Sequence, residues 1–196
     1  MRLKKLRLLL AAIPLALTST LAHAGDLTPG QGEGSQIFGG ELVPACAWPS
    51  TVYINDCTGT LIHPEVVIFA AHCILLPGES PTEVRFGEEA EQPARVVQTV
   101  DCAVNPDFSL DDGPGDFAYC TLAEPVEDVP IVPPLMGCET DFLEVGSEVV
   151  LAGFGFADSM PDYGFKRHVT TTVQEFFGDN EIVLGANGMS SCYGDS

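Results

Sequence analysis

Positive charge is what this sequence has least of. Only eight of its 196 residues are Lys or Arg, against 28 Asp or Glu, a net of −20 at pH 7. Four of the eight, Arg2, Lys4, Lys5 and Arg7, lie in the first seven residues; without that stretch four cations face 28 anions, a net of −24. Phosphate backbones and anionic headgroups are held mainly by Lys and Arg, so nucleic acid and membrane surfaces are excluded as partners. The acid reads as solvated surface that keeps an exported protein soluble. Long apolar runs are also absent after residue 24, and a spanning helix takes roughly 20 such residues. No CxxC pair occurs, which removes the usual zinc signature. No stretch after residue 24 sustains a helical period, and no internal repeat is visible.

What is present suits one globular domain: 45% apolar residues, 20 Gly, 15 Pro and 7 Cys. Met1 to Ala24 has a basic start, an apolar run from Leu8 to Leu17, a polar break and then Ala22-His23-Ala24. This is the pattern of a secretory signal peptide, so the mature chain is expected to begin near Gly25 and to be secreted, extracellular or periplasmic. Seven cysteines in a small exported domain read as a disulfide set. Residues 25–36, GDLTPGQGEGSQ, form a polar Gly-rich leader with almost nothing to bury, a propeptide candidate. From residue 37 onward, short β-type runs alternate with turn residues: STVYI (50–54), GTLI (59–62), EVVIFAA (65–71), TEVRF (82–86), ARVVQTV (94–100), DFAYCTL (116–122), EVVLAGF (148–154), HVTTTVQEF (168–176) and EIVLG (181–185). The fold class is all-β, a barrel or sandwich.

Three residues point to chemistry by their company. His72 ends an apolar run, Asp116 opens another, and Ser196 closes CYGDS. A serine is a weak nucleophile until a base takes its proton, and the base needs a carboxylate to fix its tautomer and stabilise the imidazolium. His, Asp and Ser stand here in that order. The acidic GEEAEQ at 87–92 reads as a solvated loop, and neither metal nor cofactor is expected.

These residues and their surroundings resemble the chymotrypsin-like (trypsin-like) serine protease family from Ile37 to the last residue. Ile37-Phe38-Gly39-Gly40 looks like the family's mature amino terminus, and CTGTLIHPEVVIFAAHC like its histidine motif. Asp116-Phe117-Ala118 is similar to its Asp-Ile-Ala, Gly153-Phe154-Gly155 to its Gly-Trp-Gly turn, and CYGDS to its serine motif. The resemblance implies two six-stranded antiparallel β-barrels, with Ser196 as nucleophile, His72 as general base and then acid, and Asp116 as orienting carboxylate. It makes the N–H groups of Gly194 and Ser196 an oxyanion hole. It pairs a newly exposed Ile37 amine with Asp195, and it puts Ser190 and Ser191 at the base of the specificity pocket, where serine supplies no charge to select Arg or Lys. A neutral apolar or aromatic side chain before the scissile bond is expected. Gln36 before Ile37, with no basic residue in 25–36, excludes a trypsin-type activator and leaves another protease or the enzyme itself.

The family's histidine-loop bridge falls on Cys57 and Cys73. Cys102 and Cys120 lie on runs that suit neighbouring antiparallel strands and are expected to pair, although the family offers no such bridge. Cys46 and Cys138 are then left for each other, and Cys192 is left over. Residues 37–196 are shorter than the 200–250 expected of such an all-β unit, so the second barrel is expected to be incomplete and the 196-residue form a doubtful catalyst. The leading expectation is a monomeric secreted serine endopeptidase acting on protein or peptide through an acyl-enzyme. The alternative is a catalytically dead, truncated homologue acting as a secreted binding protein.

Overall fold

Alternating burial along the β-type runs carries them into strands. The structure, a computed structural model, describes residues 40–74, 80–109, 115–155, 163–177 and 181–185, together with 189 and 191. Ten strands appear in chain order: β1 Glu41–Leu42, β2 Thr51–Ile54, β3 Cys57–His63, β4 Val66–Phe69, β5 Glu83–Phe86, β6 Arg95–Val104, β7 Ala118–Leu122, β8 Glu148–Gly153, β9 Arg167–Phe177 and β10 Glu181–Leu184. Every run expected to be extended contains one. β1 and two 3-10 turns, Ala71–Ile74 and Gly137–Phe142, are additional.

Six strands close into an antiparallel barrel in the order β2-β3-β4-β7-β6-β5, with Tyr53 opposite Arg85 completing the ring. Alternate residues point inward, so Leu61, Val67, Val84, Val97 and Leu122 meet Val52 and Ile54 in one core with almost no exposure. Gly59 makes this interior possible: a Cβ there would lie 2.9 Å from the Val67 side chain and 3.2 Å from the Ile68 carbonyl oxygen.

The second sheet has four strands among the described residues and does not close. β9 is its centre: β8 runs along residues 167–172, β10 along 173–177, and β1 touches Arg167 and His168. The two-barrel expectation is thus realised as one closed barrel and one incomplete sheet.

Phe154, Tyr163 and Lys166 fasten the sheet to the barrel. Phe154 donates its N–H to Thr58 Oγ1 at 3.0 Å, and Lys166 donates its N–H to the Glu88 carbonyl at 2.7 Å. Tyr53 of the barrel sits edge-on to Phe154 and Tyr163, at 5.7 and 6.1 Å between ring centres. Burial and a hydrogen bond to Asp56 push the Tyr53 phenol well above its ordinary range.

Candidate active site

The pairing of β4 with β7 brings His72 and Asp116 together. Phe69 lies opposite Ala118, so the residue two before Ala118 and the residue three after Phe69 leave the same end of the barrel. There the chain turns: Ala71 and Cys73 bury while His72 faces outward between them. The sequence suggested an extended run to Ala71, but the strand stops at Phe69, and the turn that follows is what presents the imidazole.

Asp116 grips His72 with both oxygens. Oδ1 accepts the His72 backbone N–H at 2.9 Å, and Oδ2 lies 2.6 Å from ring Nδ1. A carboxylate in that place makes Nδ1 the protonated nitrogen of the neutral ring and leaves the lone pair on Nε2. The pair is half-open, with 34% of the His72 and 33% of the Asp116 side-chain surface exposed. Chemically, it is an oriented base able to take a proton from a hydroxyl offered to Nε2.

Supports come from around it. The Cys57–Cys73 disulfide closes the turn against the core, with Cα atoms 6.3 Å apart. Asn55, in a left-handed conformation, donates its side-chain amide to the Cys73 carbonyl. Asn105 donates to the Gly115 carbonyl at 2.8 Å and steadies the approach to Asp116. Sequence reasoning missed both asparagines, whose partners lie 18 and 10 residues away. Cys57, His72 and Cys73 stand close enough for a metal cluster, but their disulfide occupies both sulfurs.

Cys102 and Cys120 also form a disulfide, directly opposite each other on β6 and β7 with Cα atoms 4.1 Å apart. The expected Cys46–Cys138 bridge is corrected: both are exposed free thiols. Cys46 belongs to the loop before β2, where its N–H is donated to the Glu88 carboxylate at 2.7 Å, whereas Cys138 sits on the Gly137–Phe142 turn. Elimination among seven cysteines ignored that placement. Ser191 is described and exposed. Ile37, Ser190, Cys192, Gly194, Asp195 and Ser196 lie outside the described residues, so the structure brings together two of the three expected triad members.

The family profile described as Trypsin matches residues 37–196. The chain is 26% identical to a tryptase of Mus musculus, over 97% of this chain and 81% of that protein. It is 29% identical to a vitellin-degrading protease of Bombyx mori over 57% of this chain, and 27% identical to trypsin II-P29 of Gallus gallus over 65%. The matches span 42% and 52% of those two proteins. Among the described residues the second sheet is open, and this overturns the expectation of a working endopeptidase. A closed barrel carrying His72 and Asp116 stands beside a sheet that, among the described residues, does not complete the other half of a catalytic cleft.

Proposed function

Because this chain belongs to the trypsin family of serine proteases, we propose that it is a catalytically compromised homologue that binds a polypeptide partner through the loops of the protease fold. The observation behind this reading is the contrast between the intact His72–Asp116 pair and the open second sheet. Catalysis by this mechanism needs base, nucleophile and oxyanion donors held together to within fractions of an ångström, and an unclosed sheet is poor support for the last two. An oriented imidazole still accepts a hydrogen bond from a bound polypeptide. The family's roles for His72, Asp116, Ser196 and Gly194 are, in this proposal, inherited positions used for recognition.

We also place the protein outside the cytoplasm, because two disulfides among the described residues suit an oxidising compartment and residues 1–24 have the signal-peptide pattern. Protein purified from culture medium tests both ideas. It is expected to start near Gly25, to bind a fluorescent Phe-containing peptide by anisotropy, and to cleave Phe or Arg reporters no faster than its His72→Ala variant. Turnover that depends on His72 would overturn the binding reading. Retention in the cytoplasm with residues 1–24 still attached would overturn the export proposal.

A further inference from the structure

β8 bounds the second sheet on one side. It pairs with β9 from Glu148 to Gly153 in unbroken register, and β1 meets the same Arg167 and His168 from across β9. Among the described residues no strand lies along the outer side of β8, where alternate backbone N–H and C=O groups point away from β9. Sheets guard such an edge with Lys, Pro, a bulge or a charge set into the strand. After Glu148, β8 has none of these: Val149, Val150, Leu151, Ala152 and Gly153 follow in even register. Its two faces differ. Val149 and Leu151 lie opposite the buried Thr171 and Val169, while Val150, 42% exposed, stands with Glu148 on the other face.

Charge decides what can cover this edge. Glu139, Asp141 and Glu144 lead into β8, and all three are exposed, as is Glu148. The four cations after residue 7 are engaged elsewhere: Arg85 with Glu83, Arg95 with Asp128, and Lys166 and Arg167 buried to 1% and 5% exposure. A second copy of this chain would bring the same excess of acid to the contact, so like charge turns self-pairing away. We propose that the free edge of β8 takes up an extended basic polypeptide segment, in which apolar residues alternate with Lys or Arg, as an added strand. Main-chain hydrogen bonds to β8 hold it. Its apolar side chains continue the buried face beside Val149 and Leu151. Its cations fall on the opposite face near Glu148, the cross-strand arrangement that favours opposite charges. The contact is a strand edge rather than the loops around His72, so it goes beyond the polypeptide-binding reading and does not depend on it.

A labelled peptide of alternating Lys and Val tests this by anisotropy, on the full-length protein at physiological salt. It is expected to bind at least about tenfold more tightly than a peptide with the same side chains and every backbone nitrogen methylated, and than one alternating Glu and Val. Equal binding of the methylated peptide reduces the contact to charge attraction and overturns the added strand. No binding of the Lys–Val peptide, or equal binding of the Glu–Val peptide, overturns the basic partner. Val150→Lys sets a cation on the exposed face of β8 away from the core, and is expected to weaken the Lys–Val peptide about tenfold at an unchanged melting temperature. An unchanged affinity in that variant, or displacement by the Phe-containing peptide, moves the contact away from β8 and overturns the proposal. Protein that sediments as a dimer alone and as a monomer with the peptide assigns the edge to a second copy, and also overturns it.

Discussion

Among the described residues, Lys166 and Tyr53 are those whose ionisation the fold changes most, and they act in opposite directions on stability. The Lys166 amine is lowered from 10.5 to about 8 by burial. Between those values the unfolded chain holds a proton that the folded chain has released, so stability rises with pH in that window. The full gain is on the order of 3 kcal/mol. Tyr53 is raised, so above its ordinary value of 10 the unfolded chain loses a proton that the folded chain keeps, and stability falls. With Cys46 and Cys138 alkylated to prevent exchange, the melting temperature is expected to climb from pH 7.5 to 9.5. It stays flat over that range in Lys166→Met; a wild-type curve that is level or falling there contradicts the argument. That Lys166 is the one lysine after residue 5 could be read from the sequence, but its burial depends on Trp48, Glu88 and Phe154, three segments that only the tertiary fold brings together.

The barrel strands are the most legible elements, because period-two alternation in residues such as Thr58, Thr60 and Ile62 against Cys57, Gly59 and Leu61 leaves one face to bury. The ends of elements are less legible. β6 continues to Val104, past the apolar run that suggested it, because Asp101 and Cys102 pair with Thr121 and Cys120 across a register shift. Ala70 and Ala71 continue the apolar pattern past Phe69, so the expected run overshoots the strand and reaches the first residue of the turn that carries His72. Gly59 shows how a barrel depends on one missing side chain. Gly59→Val pushes atoms into the Val67 side chain and the Ile68 backbone, and is expected to cost about 1–3 kcal/mol in urea unfolding, as overpacking does. A midpoint within error of wild type would show that β3 and β4 separate more easily than their packing suggests. Two of the three expected triad members, His72 and Asp116, could be read from order and motif, and the fold brings them together. The free state of Cys46 and Cys138 could not, since elimination carries no information about which loop turns toward which.

Across the whole molecule the excess of negative charge sets a repulsion that salt relieves. With 28 acidic residues against eight basic ones, self-repulsion favours expanded chains, and screening falls to about 3 Å at 1 M salt. The melting temperature is expected to rise between 10 mM and 500 mM sodium chloride, and a fall would mean that ion pairs such as Arg95–Asp128 outweigh the repulsion. The strands of the closed barrel, residues 51–122, run without interruption in the chain, while β1 at residues 41–42 belongs to the other sheet and pairs only with residues 167–168. A ribbon of chain that is needed early in sequence but seated late carries the entropy of closing a loop more than 120 residues long. During synthesis the barrel therefore has all its neighbours in hand well before its own leading arm has one. β1 is made before any barrel strand and waits, held in trust, until β9 arrives.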